Sequence, residues 1–173
     1  MSISMTRPLL LWVVTVAGVI VPLRGTGAEQ GCSQEAYERA DRNVTAMLVR
    51  LRNRPQTVGA RDMESLFREL GGCGDGYVGE SIADVVTDFL VLRWSEFSRL
   101  YAIAKHNRAF MQWLMAFVGE SARTESLQAI ASNALTRCPG KAQQGCAAVL
   151  RRAKDALESQ GRPLKDIGVY KRQ

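Results

Sequence analysis

The stretch from Ile82 to Val118 constrains the fold more than any other part of this 173-residue chain. Apolar residues recur in it at steps of three and four, which is the spacing of one face of an α-helix. In its first third the opposite side carries apolar residues as well, since Val91 lies opposite Phe89 and Leu92 adds further apolar surface. A helix that is apolar nearly all round needs neighbours on every side. We therefore expect this segment to form the central helical layer.

This central stretch divides into three predicted helices. The first ends before Ser95, which together with Glu96 has the residue types of a helix cap and an acidic first turn. A second, shorter helix is expected from there to about Ala104. Asn107 can cap a third helix, and Gly119 is placed to end it.

Two further helices are predicted before the central stretch. Ser33 can cap the first, which keeps its apolar spacing to about Leu51. A break with Pro55 follows, and a second helix is expected from about Ala60 to Leu70. If the two form an antiparallel hairpin, the start of the first lies beside the end of the second.

Helical spacing also continues after the central stretch. Thr124 can cap a helix that ends before Pro139, because proline cannot continue it. A last helix opens at Cys146 and keeps its apolar spacing to Leu157. No run alternates apolar and polar residues in the way that predicts a strand.

The N-terminal residues 1–28 have the order of a secretory signal peptide. A lone charge at Arg7 precedes an apolar run from Pro8 to Leu23, and small residues lead to Ala28. The run counts 16 residues, fewer than the ~20 that a membrane-spanning helix needs. We expect cleavage near Ala28 and a periplasmic or secreted protein; an uncleaved N-terminal anchor is the alternative.

Four cysteines follow this export signal, and an even number in an oxidising compartment predicts two disulfides rather than a metal site. Three pairings are open from the sequence alone. The expected helical hairpin brings Cys32 near Cys73, and a short loop closed by Cys138 and Cys146 fits the local turn. We therefore predict an all-α fold, a compact bundle of about six to seven short helices stapled by two disulfides, with a short α-solenoid as the alternative.

The mature chain is expected to be a single helical domain over residues 29–161 with a flexible basic tail over 162–173. From Arg137 to the end the chain has nine basic against three acidic residues. We interpret this as a solvated helix face and a loose tail. Weak contact with an anionic polymer or a membrane surface is the alternative. Export removes the chain from nucleic acid, so we expect none as a partner.

A glycine-rich loop precedes the central stretch. Gly74, Gly76 and Gly79 have the G-x-G-x-x-G spacing that cradles a pyrophosphate when it follows a strand. A predicted helix precedes it here and Cys73 ties it down, so we interpret it as a disulfide-anchored turn. No cofactor is expected.

Glu80 and Ser81 follow this loop at a predicted helix start. A Glu-Ser pair in an all-helical exported protein resembles the catalytic segment of lytic transglycosylases, in which the glutamate is the general acid. The resemblance covers two residues and implies an enzyme acting on envelope glycan through Glu80, provided that a cleft encloses the carboxyl. The companion segments of that family are absent, and the helix dipole also explains an acid in a first turn.

Glu80, Asp84 and Asp88 recur at one-turn spacing and form an acidic ridge on the predicted helix. Like charges at this spacing destabilise a helix by a few tenths of a kcal/mol each. We expect the ridge to meet arginines, with Arg93, Arg123 and the basic C-terminal helix available. A basic partner or a cation is the alternative.

His106 is the only histidine, which excludes a multi-histidine zinc site. We expect it at the junction of two helices, where such side chains satisfy free backbone groups. We predict no metal site and no catalytic residue other than the alternative at Glu80.

An exported, disulfide-stapled, all-helical domain without catalytic motifs resembles in layout the periplasmic immunity proteins of bacterial contact-dependent toxin systems. The resemblance implies a binding protein of the envelope that acts by occluding or scaffolding another protein. We favour this function over the alternative, a glycan-acting enzyme of lytic-transglycosylase type.

Overall fold

The structure is a computed structural model and describes residues 32–70, 72–119 and 121–162. All of these belong to one unit of the chain, Gly31–Gln173. The predicted signal peptide (1–28) lies outside the described residues, as does the predicted tail (162–173) apart from Arg162. Both stay predictions.

Seven α-helices and no strand occur in the described ranges. In chain order they are α1 Gln34–Asn53, α2 Ala60–Leu70, α3 Gly76–Leu92, α4 Phe97–Ala104, α5 Arg108–Phe117, α6 Thr124–Thr136 and α7 Gln143–Ser159. Short 3₁₀ turns connect α1 to α2, α3 to α4 and α6 to α7. The predicted all-α fold is confirmed, and the compact packing of the helices matches the bundle rather than the solenoid.

Helix α3 is the centre of this bundle, as the sequence predicted. It packs against α1, α5 and α6. Because neighbours cover it on several sides, even its polar Thr87 is fully buried, and the Thr87 hydroxyl donates to the carbonyl of Ala83 at 2.7 Å. Each fully buried large apolar side chain contributes about 1.5–3 kcal/mol. The buried residues of α3 are Val78, Gly79, Ile82, Ala83, Val85, Val86, Thr87, Asp88, Phe89 and Leu90.

Helices α1 and α3 run in the same direction and pack directly on each other. Helix α2, which lies between them in the chain, runs back antiparallel to α1. The start of α1 is joined to the loop before α3 by a disulfide, and Arg52 at the end of α1 reaches Asp88 in the second half of α3. Ser33 caps α1 as predicted, since its Oγ accepts from the backbone N–H of Ala36 at 3.2 Å. The bounds of α2 are the predicted ones.

Both predicted disulfides are present. The long bridge joins Cys32 to Cys73 with 5.1 Å between their Cα atoms, and the short bridge joins Cys138 to Cys146 with 6.0 Å. Bridges of this kind persist in oxidising compartments, so they indicate a location outside the cytoplasm. No helix in the described part of the chain is long and apolar enough to span a membrane.

Two of the predicted helix caps are wrong. Ser95 lies inside the 3₁₀ turn Trp94–Glu96, and α4 begins after it without a side-chain cap. That turn lets the buried Trp94 ring stack on Phe97 with 4.4 Å between ring centroids, and this packing decides where the chain turns. Thr124 is the first residue of α6 rather than its cap, and its hydroxyl donates to Gln160 at 2.8 Å.

Candidate functional site

The glycine-rich loop folds back onto its own helix. Helix α3 begins at Gly76, whose φ of 57° is a conformation that glycine adopts most readily. The carbonyl oxygen of Gly74 occupies the place where a Cβ of Gly79 would stand. This close approach explains the spacing of the glycines, and Cys73 of the long bridge anchors the turn.

Glu80 lies elsewhere than the sequence indicated. Because α3 begins at Gly76, Glu80 is in the second turn of the helix and not at its start. Its side chain is exposed, and no described residue forms a hydrogen bond or ion pair with it. A catalytic acid needs an enclosing cleft, and Glu80 lines none of the grooves described below. Catalysis by Glu80 stays a prediction.

Two of the three acids of the ridge, Asp84 and Asp88, meet arginines as predicted, whereas Glu80 meets none in the described part of the chain. Asp88 accepts from Arg52 Nε at 2.8 Å and from Arg123 Nη2 at 2.5 Å, while Asp84 accepts from Arg52 Nη2 at 2.8 Å. We call these four residues the charge cluster. It joins α1, α3 and α6, so its first effect is to hold three helices together.

Only one of the arginines in this cluster was foreseen. Arg123 was among the predicted partners, whereas Arg93 instead donates to the carbonyl of Val58 and lies near Glu96. Arg52 was missed, because only the shared direction of α1 and α3 brings it to the ridge. The hydrogen bond with Asp88 raises the pKa of Arg52 above its ordinary value, against the opposing effect of burial.

His106 lies in the turn between α4 and α5, where it was expected. The next residue, Asn107, caps α5 by accepting from the backbone N–H of Phe110 at 3.1 Å. Across residues 32–70, 72–119 and 121–162, no three His, Cys, Asp or Glu side chains are placed together to hold a metal ion.

An aromatic groove runs beside the long bridge, between the end of α2, the glycine-rich loop and α5. Its volume is about 280 Å³. We call it the aromatic groove, and its lining residues are Phe67, Leu70, Gly72, Cys73, Gly74, Asp75, Trp113 and Phe117. The rings of Phe67, Trp113 and Phe117 are all partly exposed.

The floor of the aromatic groove is a continuous layer of rings. Trp113 lies in the middle, with 5.6 Å between its centroid and that of Phe67 and 5.5 Å to that of Phe117. At these separations the rings touch one another, within the 4.5–7 Å range of aromatic pairs. The rings of Phe67 and Phe117 are tilted by 57° and 66° from the plane of Trp113, so the floor is an uneven apolar surface rather than a flat one.

The wall of the aromatic groove carries almost no side chains. Gly72 and Gly74 expose their backbone, and the first has a φ of 100° that other residues rarely adopt. The only ionisable side chain in the lining is Asp75, which is exposed and has no described hydrogen-bond or ion-pair partner. The groove therefore offers apolar surface, peptide groups and one carboxylate.

Two other depressions have simpler explanations. A polar groove of about 630 Å³ lies between α2 and α4, where Glu96 already pairs with Arg99. An apolar gap between α4, α5 and α7 has room for about 10 Å³, too little for a ligand, and reflects the packing of Tyr101 over Gly145.

No protein family, curated protein or solved structure matches this chain.

Charge is unevenly distributed over the surface of the protein. Residues 32–92 have seven basic and ten acidic side chains, while residues 93–162 have eleven basic and five acidic ones. On α7, Arg151 and Lys154 are exposed and have no described ion-pair partner. Contact of this basic region with an anionic polymer or membrane surface stays a prediction.

Proposed function

We propose that this chain is an exported binding protein of the bacterial envelope that acts by occluding or holding another protein, as immunity, inhibitor and scaffold proteins do. The observation that carries the proposal is the aromatic groove. Partly exposed aromatic side chains in one cluster are a common mark of protein interaction sites, and Trp is among the residues most enriched at their energetic centres.

The way in which the aromatic groove is built supports the same function. The long bridge ties its wall to the start of α1, and the rings of its floor pack on the buried Phe110, which lies 5.3 Å from Phe67 between centroids. A surface that is already ordered before binding loses less conformational entropy when a partner docks.

The predicted export adds to this proposal. A signal peptide cleaved near Ala28 would release the chain into the periplasm or the medium, where the two disulfides form. An uncleaved N-terminal anchor would place the same groove at the membrane surface. In either case the partner is a protein of the same compartment.

Affinity capture tests the proposal. The purified protein, with both bridges closed, is immobilised and exposed to envelope extract, and bound proteins are identified by mass spectrometry. We expect one stoichiometric protein that Trp113→Ala fails to retain and that Leu135→Ala retains, since Leu135 is 50% exposed and lines no described groove.

Folding is the control for this capture. Truncating a partly buried Trp costs stability, so each variant is checked by thermal unfolding before use. If Trp113→Ala is unfolded, the charge reversal Asp75→Lys replaces it, because Asp75 is exposed and its substitution leaves the packing intact. Equal retention by all folded variants, or retention of no protein at all, would overturn the proposal.

A further inference from the structure

We propose that the aromatic groove receives an apolar side chain of a partner protein that has Lys or Arg beside it in sequence. This inference rests on the proposed function and names the chemistry of the partner. Three properties of the groove carry it: its size, the scarcity of polar groups in its lining, and the charge around it.

The size of the aromatic groove fits a side chain. Its volume of about 280 Å³ lies just below the roughly 300–1,000 Å³ of pockets that enclose whole small molecules. Its floor is a touching layer of three rings around Trp113. An aromatic or leucine-like side chain can pack against such a floor, and aromatic pairs add to the apolar burial.

The groove has few polar groups, and these favour a partner with a basic residue next to the docked side chain. Asp75 is the single ionisable side chain in the lining, and it has no described partner. A Lys or Arg next to the docked side chain would reach this carboxylate while the exposed backbone of Gly72 meets the partner's backbone. A glycan is disfavoured, since its many hydroxyl groups need more polar side chains than one.

The charge around the groove favours the same partner. The long bridge gathers the start of α1, the end of α2 and the start of α3 at one end of the bundle. Residues 32–43 and 69–80 together have six acidic and two basic side chains. The cation beside the floor on α2, Arg68, is already paired with Glu64. The electrostatic field at this end of the bundle therefore attracts a basic segment of a partner and repels an acidic one.

A display experiment tests this inference. A random peptide library is selected on the immobilised protein with both bridges closed, and enriched sequences are read. We expect peptides with an aromatic residue or leucine within about three positions of Lys or Arg. Synthetic copies should lose about tenfold or more in affinity to Trp113→Ala, the range of an interface centre.

Matched variants separate the two halves of the inference. Asp75→Asn should weaken the basic peptides by about threefold, as expected for an exposed ion pair, and the effect should shrink at high salt. Asp155→Asn removes an exposed acid on α7 that has no described partner and should change nothing. Peptide copies in which Glu replaces the basic residue should bind more weakly than the originals.

The contrary results are distinct. Enrichment of acidic or uncharged peptides, no enrichment, or binding that ignores Trp113→Ala would overturn the inference. So would binding of peptidoglycan fragments at the groove in a parallel measurement, or formation of dimers that Trp113→Ala dissolves. If capture finds a groove-dependent protein whose contact segment is not basic, this inference fails and the proposed function stands. If capture finds no groove-dependent protein, the proposed function fails whatever the peptides show.

Discussion

Asp88 is the one buried ionisable side chain among the described residues, and removing its charge should destabilise the fold measurably. Asp88→Asn keeps the shape of the side chain but replaces one carboxylate oxygen by an NH₂ group. The side chain is 9% exposed and accepts from Arg52 and Arg123 at 2.8 and 2.5 Å. The amide would accept one of these bonds weakly and oppose the other with its own N–H groups.

The magnitude follows from these contacts. A hydrogen bond to a charged group contributes about 1.5–3 kcal/mol. Arg52 and Arg123 are 45% and 51% exposed, so water solvates them again after the change and each loss falls to about 1 kcal/mol. We expect Asp88→Asn to lower the free energy of unfolding by about 2 kcal/mol in total. At roughly 3–5 °C per kcal/mol for a domain of this size, the Tm should fall by roughly 6–10 °C.

Urea denaturation followed by circular dichroism, with both bridges intact, measures this loss. Asp84→Asn is the matched control, because Asp84 belongs to the same charge cluster but is 30% exposed. Its cost should stay below about 1 kcal/mol. If Asp88→Asn costs no more than Asp84→Asn, burial does not strengthen these bonds and the reasoning is refuted.

The remaining predictions concern the bridges, the glycine-rich loop, Glu80 and Arg52. Replacing both cysteines of the long bridge by serine should lower the free energy of unfolding by about 4 kcal/mol, because this bridge spans 41 residues. The same change in the short bridge, which spans 8 residues, should lower it by about 2.5 kcal/mol. Urea denaturation of the two double variants measures both losses. Gly79→Ala should destabilise the fold by about 1–3 kcal/mol despite the better helix propensity of alanine, because the added Cβ would overlap a backbone oxygen. Gly140→Ala is the control, since a Cβ there meets nothing within 4 Å and should leave stability nearly unchanged. Thermal unfolding of both variants measures the difference. Glu80→Gln should leave stability within about 0.5 kcal/mol, and a loss of peptidoglycan-cleaving activity in this variant, where the parent is active, would assign catalysis to Glu80. The pKa of Arg52 is raised in the folded state, chiefly by its hydrogen bond to Asp88, so its contribution to stability is complete below the ordinary pKa of arginine and is lost only at strongly alkaline pH. The stability difference between the wild type and Arg52→Gln should therefore be equal at pH about 6 and about 9.

Much of the fold could be predicted because its signals are local. The bounds of α2 follow from Pro55 before it and the apolar spacing to Leu70. The long bridge follows from the hairpin that α1 and α2 form. Ser33 and Asn107 were recognised as caps because a polar residue that accepts backbone hydrogen bonds stands just before an apolar stripe in each case.

The errors have one physical cause, which is that tertiary packing overrides a local signal. Ser95 has the chemistry of a cap, but the stacking of Trp94 on Phe97 places a 3₁₀ turn there instead. Thr124 follows the same pattern, with Gln160 of the α7 end as its hydroxyl partner. Glu80 lies in the second turn of α3 rather than at its start, because the glycines before it allow the helix to begin at Gly76.

The candidate site could be predicted least. Periodicity indicates which residues share a helix face, but it cannot say which face stays partly exposed at the edge of a bundle, as Phe67 and Trp113 do. Likewise, no sequence pattern around Arg52 indicates that its side chain faces α3. Both depend on contacts between residues more than 30 positions apart, and only the assembled fold determines these.

Photo-crosslinking in the native compartment tests the central claim most directly. A photoreactive phenylalanine analogue at Phe117 stands on the floor of the aromatic groove, and the same analogue at Leu135 stands on an exposed surface outside it. We predict one crosslinked protein partner from position 117 and none from position 135. Equal crosslinking from both positions, or none from position 117, would contradict the claim that this chain works by binding a protein in its aromatic groove.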